Sequence, residues 1–381
     1  MSERPLYVTR PFLPPLEDFL PYLQEIWASG QVTNGGSFHQ RLEAALSEYL
    51  EVDHLSLTAN GTLALMSAIR VLDLAGEVIT TPFSFVATSH VLLWNGITPV
   101  FADIDADGLN LDPAAVEAAI TPRTTAILPV HVYGRPCDVR ALQDIADRHG
   151  LRLLYDAAHA CGVRTAGYNL LQQGDLSVLS LHATKVLHTF EGGAVVSPDA
   201  RTKRRIDELR NFGFAGETSV VSAGINAKMN ELQAAFGLLH LQHLDAAIAR
   251  RKAIDACYRQ ALAEVPGIRC LALPDVVRYN HGYFPIRVDD DYPLSRDDLL
   301  SSLRDKGIYA RRYFYPLICD FPMYRGLPSA EPGHLPVARR VAGEILCLPI
   351  YPEMDDADCR RVAGLIRAAR PPASPRSGRR S

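Results

Sequence analysis

A chain of 381 residues with 48% hydrophobic content can bury a sizeable core and leads us to expect two packed domains. Its formal charge of -4, with both signs mixed along the chain, gives no electrostatic reason to expect nucleic acid or an anionic membrane as partner. Seven scattered cysteines with no CxxC pair argue against a disulfide framework and a structural zinc site, so reduced thiols are expected, and the absence of any apolar run near eighteen residues or of an N-terminal signal core points to a soluble cytoplasmic protein.

The first strong periodicity is SFHQRLEAALSEYL, residues 37–50, an amphipathic helix behind a serine that can cap it. HLSLTA then reads as a strand, NGT as a turn and LALMSAIRVL as a helix. EVITTPFSFVATSHVLLWNG repeats strand then helix, TPVFADI is a further strand, and DPAAVEAAI is a helix with an aspartate cap. TTAILPVHVYG reads as a strand, CDVRALQDIADRHG as a helix ending on glycine, and LRLLYDAAHACG as a strand that stops at an aspartate. Strands alternating with helices imply an α/β protein with a mostly parallel central sheet flanked by helices. From residue 199 the pattern changes to DARTKRRIDELRNF and a long helix, 230–262, of a length suited to bridging two domains. GIRCLAL, HGYFPIRV, SRDDLLSSLRDKGI and DDADCRRVAGLIRAAR then suggest a smaller C-terminal α+β domain. The expected organisation is a large domain over 12–245, a small domain over 246–370 and a disordered basic tail, PPASPRSGRRS, over 371–381.

In open parallel sheets, ligands bind beyond the carboxyl ends of the strands. Three strand ends here carry chemistry. Asn60-Gly61-Thr62 opens a helix, where free N–H groups and the dipole favour a phosphate, although Gly-Thr before a helix is usually only a turn and cap. Asp156 closes LRLLY and precedes Ala157, Ala158 and His159; a simple turn cap is the plain alternative. SVLSLHATKVLHTFEGGAVV, residues 177–196, puts Lys185 in the loop between two apolar strands. In partly dry surroundings its charged form is disfavoured and its amine becomes a nucleophile able to form a Schiff base; a snorkelling lysine is the alternative. Together the three supply what pyridoxal 5'-phosphate demands: an amine for its aldehyde, a helix start for its phosphate and an acid for its pyridinium nitrogen. Phe85, in PFSF, is placed to stack on the ring or to fill the core.

NGTLAL, PFSFVAT, PVHVYG, DAAHACG, GDLSVLSLHATK, EGGAVV and GINAKMNELQAAFGLLHL occur in the order seen in the sugar aminotransferases of the DegT/DnrJ/EryC1/StrS family, and residues 10 to 370 resemble that family. The resemblance implies an aspartate aminotransferase-like fold type I. It also implies that Lys185 is the Schiff-base lysine and acid–base, that Asp156 pairs with the ring nitrogen and that His159 lies beside the phenolic oxygen. Ser180, Gly61 and Thr62 are implied to hold the phosphate, and Phe85 to cover one ring face. Asn226 is implied to reach the phosphate of a neighbouring subunit's cofactor, hence a homodimer with shared active sites. Asn60 departs from the serine found in many members.

His182 alternates with Ser180 along the strand and is a candidate for cofactor or substrate contact, while His188 reads as structural or sugar-adjacent. No carboxylate or thiol stands at ligand spacing beside these imidazoles, so no metal is expected. SLHATKVLHTFEGG resembles the form found in enzymes that aminate C4 of dTDP-4-keto-6-deoxyhexoses, and it lacks the FYPxKNLGAxGDGG of C3-acting members. In GIYARRYFYPL, Arg311, Arg312, Tyr313 and Tyr315 are chemically suited to a nucleotide diphosphate and its sugar. L-glutamate is the expected donor and dTDP-4-keto-6-deoxy-D-glucose the expected acceptor. The competing readings are a 3-keto or GDP-linked sugar, a lysine-free dehydratase, which Lys185 argues against, and a cofactor-bound regulator without turnover.

Overall fold

The computed structural model describes residues 4–369. It opens with β1 (Leu6–Tyr7), α1 (Leu16–Ser29) and α2 (Ser37–Leu50), followed by β2 (Leu55–Thr58), α3 (Gly61–Val71), β3 (Glu77–Thr80), α4 (Ala87–Trp94), β4 (Thr98–Phe101) and α5 (Pro113–Ala118). Next come β5 (Thr124–Leu128), α6 (Val139–His149), β6 (Arg152–Asp156), β7 (Leu176–Ser180), β8 (Gly193–Val196), α7 (Ala200–Leu209) and the long α8 (Glu231–Leu262). The chain closes with β9 (Ile268–Cys270), β10 (Phe284–Val288), α9 (Arg296–Asp305), β11 (Ile308–Tyr309), α10 (Pro336–Glu344), β12 (Ile345–Leu348) and α11 (Asp356–Ala368).

Seven strands form one sheet in the order β2-β8-β7-β6-β5-β3-β4. β3 to β7 run parallel, and β8 is antiparallel to both its neighbours. Helices cover both faces, which is why β2, β3, β7 and β8 are buried at every residue, their serines, threonines and Glu77 included. The mostly parallel α/β architecture agrees with the expected fold class. A second, antiparallel sheet, β12-β10-β9, packs against α9 and α11. α8 serves two cores: Ala234, Leu239, Leu244 and Ile248 join the core of the large sheet, and Ile254, Tyr258 and Leu262 join the second. The proposed domain boundary at residue 245 falls inside α8, just before Ile248, the last of these residues to join the core of the large sheet. The expected tail, 371–381, lies outside the described residues.

Four features depart from the sequence reading. α1 carries Pro21 inside it, which obscured its periodicity, and no helix was expected there. β1 pairs in parallel with β11, so the start of the chain is stitched to its C-terminal third. Ser37 does not cap α2; the carboxylate of Glu231 accepts the N–H groups of Phe38 at 2.8 Å and His39 at 3.0 Å instead. Finally, Cys257 on α8 is bonded to Cys359 on α11, against the expectation of reduced thiols throughout. A separation of 102 residues gives no spacing signal; only the stacking of the two helices brings these cysteines together.

Candidate active site

The carboxyl ends of β6 and β7 put three chemically useful groups in one cleft. Asp156, 5% exposed, closes β6; its Oδ2 accepts from the Thr88 hydroxyl at 2.8 Å and its Oδ1 from the Ala158 N–H at 3.0 Å. Burial pushes this carboxyl above the usual range, opposed by those two hydrogen bonds and by the charge of Lys185. Lys185 leaves the core just beyond β7, anchored by the buried Leu181, Val186 and Leu187 and by a turn in which its N–H donates to the His182 carbonyl at 2.8 Å. Its Nζ donates to the Tyr283 hydroxyl at 3.2 Å. Burial lowers its pKa from 10.5 to about 8, and the charge of Asp156 opposes the shift. A substantial neutral fraction near physiological pH is what a nucleophilic amine requires.

His159, also buried, is seated between Tyr283, 4.8 Å away between ring centres, and Phe314, 6.1 Å away with the planes parallel. Its Nδ1 accepts the Tyr133 N–H at 3.0 Å, and its carbonyl accepts from the Asn280 side chain at 2.8 Å. Burial, then the charge of Lys185, hold its pKa well below the ordinary histidine range.

The start of α3 forms the third wall. Asn60 caps the helix through the Leu63 N–H at 2.9 Å, and its carbonyl takes the Ala64 N–H at 3.1 Å. The N–H groups of Gly61 and Thr62 find no acceptor among the described residues, which leaves two aligned donors at the positive end of a helix. A Cβ on Gly61 would sit 3.2 Å from the Cβ of Ser180, so helix start and Ser180 face the same space. Gly193, opening β8, has a firmer reason: a Cβ there would strike the Asn60 carbonyl at 2.6 Å.

The remaining candidates are placed as follows. Phe85, 61% exposed, lines a cleft with Arg304, Arg311, Arg312 and Tyr315. Arg312 is committed within the chain, to Asp297 at 3.1 Å and over the Tyr315 ring at 4.8 Å, where Arg296 stacks as well at 4.6 Å. The guanidinium of Arg311, by contrast, meets no acceptor among the described residues. Tyr313 accepts the Tyr133 hydroxyl on its carbonyl and sets its ring 6.0 Å from Tyr283. His182 turns toward the rim, its Nδ1 toward Thr184 at 2.9 Å and its Nε2 3.5 Å from Glu191. Asn226 is exposed, on a segment whose next residue accepts the Ala59 N–H at 2.8 Å, beside the start of α3. Sequence reasoning missed Tyr283, Thr88 and Asn280. Tyr283 is 98 residues from Lys185 and sits at the mouth of an ordinary apolar strand, so no local signal marks it.

A family model described as the DegT/DnrJ/EryC1/StrS aminotransferase family matches residues 16–367. The chain is similar to a dTDP-4-amino-4,6-dideoxy-D-glucose transaminase of Escherichia coli, 49% identical over 96% of this chain and 99% of that one. A protein of the same name from Shigella dysenteriae is 50% identical over 96% and 99%. Among solved structures, that of DesI in the presence of its TDP-sugar product superposes with a TM-score of 0.91 at 40% identity, covering 96% of this chain and 93% of that one.

Proposed function

Since the chain belongs to the DegT/DnrJ/EryC1/StrS aminotransferase family, we infer that it is a pyridoxal-phosphate-dependent sugar-nucleotide aminotransferase acting on the 4-keto carbon of a dTDP-linked sugar. L-glutamate is the donor and dTDP-4-keto-6-deoxy-D-glucose the acceptor in this reading, giving dTDP-4-amino-4,6-dideoxy-D-glucose and 2-oxoglutarate. Near-half identity over the whole chain to two enzymes named for that product carries the sugar assignment. SLHATKVLHTFEGG supports it independently.

The cleft fits the cofactor on observations of its own. It holds an amine brought toward neutrality, a buried carboxylate, two unclaimed helix N–H groups and a histidine Nε2 with no partner among the described residues. When bound, pyridoxal phosphate supplies an electron sink for the carbanion left as an amino acid loses its α-proton. Lys185 takes that proton on Nζ and delivers it again, with the Tyr283 hydroxyl steadying the amine between transfers. Asp156, fixed by Thr88 and Ala158, would pair its carboxylate with the ring nitrogen. Gly61, Thr62 and Ser180 bind the phosphate, Phe85 shields one ring face from water, and Arg311 with Tyr315 receives the nucleotide diphosphate. The same reading has the enzyme working in the cytoplasm as a homodimer in which Asn226 completes a neighbouring subunit's phosphate site. The exposed apolar residues Leu16, Leu20 and Trp27 on α1, with Leu232 on α8, support such pairing.

The test is to incubate the protein with glutamate and, separately, dTDP-4-keto-6-deoxy-D-glucose, its 3-keto isomer and GDP-4-keto-6-deoxymannose, and to identify products by mass spectrometry and NMR. Consumption of the 3-keto or GDP substrate alone would overturn the sugar assignment. No glutamate-dependent change in visible absorbance would overturn the enzyme assignment.

A further inference from the structure

α9 turns one face toward the cleft that holds Phe85 and Tyr315. Arg296, Leu300 and Arg304 stand at i, i+4 and i+8 on that face, and Leu300 and Arg304 line the cleft beside Arg311 and Arg312. Four guanidinium groups thus gather in one region, and their contacts divide them into two pairs.

The first pair is occupied within the chain. Arg296 is buried; its Nη1 donates to the carbonyls of Ala342 at 2.8 Å and Ile345 at 3.1 Å, and its Nε to Asp297 Oδ1 at 2.7 Å. Arg312 donates to the same oxygen of Asp297 at 3.1 Å. Both guanidinium groups lie over the Tyr315 ring, 4.6 and 4.8 Å from its centre. The Tyr315 N–H folds back onto the Arg312 carbonyl at 2.8 Å. Two cations beside one ring need a shared anion to stay together, and Asp297 is available for that role because Ser295 caps the helix instead, accepting the Asp298 N–H at 3.1 Å. The second pair is unclaimed. Arg311 stands on a rigid base, its backbone exchanging hydrogen bonds of 3.1 and 2.8 Å with Cys347 of β12. Arg304 belongs to the last turn of α9. Both are exposed, and neither guanidinium meets an acceptor among the described residues. An arginine in a last turn complements the helix dipole. Two unpaired arginines on one concave surface do more: each fork can take two oxygens of a phosphate, so the pair suits a ligand with two adjacent phosphates.

We propose that Arg304 is a second anchor for the diphosphate of the sugar nucleotide, acting beside Arg311, and that Arg312 is a positioning residue that orients Tyr315 and does not touch the ligand. The proposal rests on the reading that this cleft receives a nucleoside-diphosphate sugar, and it names which cations recognise that group.

The probe is dTDP, tested as a competitive inhibitor of the holoenzyme against the sugar nucleotide, with dTMP beside it. Arg304→Ala should raise the dTDP Ki and the sugar-nucleotide KM roughly ten- to hundredfold, narrow the preference for dTDP over dTMP, and leave the KM for glutamate within about twofold. Double-mutant cycles separate binding from positioning. Arg312→Ala should raise the dTDP Ki about threefold in the wild-type background and have no effect once Tyr315→Ala is present, whereas the Arg304→Ala effect should be the same in both backgrounds. A dTDP Ki unchanged in Arg304→Ala would leave that arginine as a partner of the helix dipole alone and overturn the proposal. An Arg312→Ala effect that persists without the Tyr315 ring would mean that Arg312 meets the ligand itself, and overturns it as well. A holoenzyme that binds no dTDP refutes the functional reading and the proposal with it, an outcome distinct from dTDP binding that ignores Arg304.

Discussion

Replacing Asp156 by asparagine separates its charge from its shape. In the wild type, Oδ1 takes the Ala158 N–H and Oδ2 the Thr88 hydroxyl. In Asp156→Asn the amide oxygen must face Ala158, because that backbone group can only donate, and the NH2 then faces Thr88. The Thr88 hydroxyl can rotate to accept it and pass its own hydrogen to the Ser84 oxygen, 3.0 Å away. Both buried contacts survive, so folding should lose on the order of 1 kcal/mol or less. The charge does not survive. Removing one member of a buried ion pair costs about 3–5 kcal/mol, which at about 1.36 kcal/mol per tenfold slows turnover by roughly a hundred- to several-thousandfold. The assay is single-turnover change of the visible cofactor band on adding glutamate, beside steady-state turnover and a thermal melt of the cofactor-free protein. A melt close to wild type with a rate reduced at least about a hundredfold is expected. A rate within about threefold of wild type would show that Asp156 serves only as a turn cap, and a collapsed melt would show that the amide exchange described above does not occur.

Lys185→Ala should abolish transamination while circular dichroism stays native; full activity would remove the central assignment. Lys185→Met should stabilise the cofactor-free protein. The native amine has a pKa of about 8 against 10.5 for an ordinary lysine, so the unfolded chain binds more protons between those values and the wild type gains stability as pH rises through them. The advantage of the methionine variant in urea unfolding should therefore be about 1 to 3 kcal/mol below pH 8 and vanish above about 10.5; a pH-independent difference would contradict burial of the amine. Tyr283→Phe removes the hydroxyl from Lys185 and should lower kcat about fivefold, one neutral hydrogen bond, with little change in either KM. A change confined to KM would place Tyr283 in substrate binding instead. Arg311→Ala should raise the KM for the sugar nucleotide about ten- to hundredfold and leave the glutamate half-reaction intact; a slowed half-reaction would place Arg311 with the donor.

How much of this was legible in the sequence follows from the range of each interaction. Helices and strands announce themselves through neighbours three, four or two positions away, and α2, α5, α6 and α8 appear where the periodicity put them. The parallel sheet followed from strict alternation of strand and helix. α1 failed because a proline interrupts the pattern, and the Glu231 cap on α2 failed because its donor and acceptor are 193 residues apart. Asp156, Lys185 and the start of α3 were readable as a group because each follows the carboxyl end of a strand, and β6, β7 and β2 run in the same direction, β2 being antiparallel to β8 and β8 to β7. Topology alone, with no contact information, brings such ends to one edge of the sheet.

The residues that tune those groups were not readable, and the reason bears on the chemistry. Lys185 comes off an apolar strand because dry surroundings are what bring its amine toward neutrality, and dryness is supplied by whatever folds over it. Here Tyr283 at the mouth of β10 lies against the amine, and beyond β11 Tyr313 packs on Tyr283 and Phe314 on His159, all from the C-terminal third of the chain. The large sheet thus carries the reacting groups, while Tyr283, from the mouth of a strand of the second sheet, contributes to burying the amine of Lys185. A substitution that loosened the C-terminal third without touching Asp156 or Lys185 would wet the amine, return its pKa toward 10.5 and slow the reaction at neutral pH more than at high pH. Tyr258→Phe is such a substitution, since its hydroxyl donates to the Pro349 carbonyl at 3.0 Å inside the second core. A pH–rate profile that falls uniformly, with no shift of its basic-side rise, would show that the two sheets are not coupled in this way.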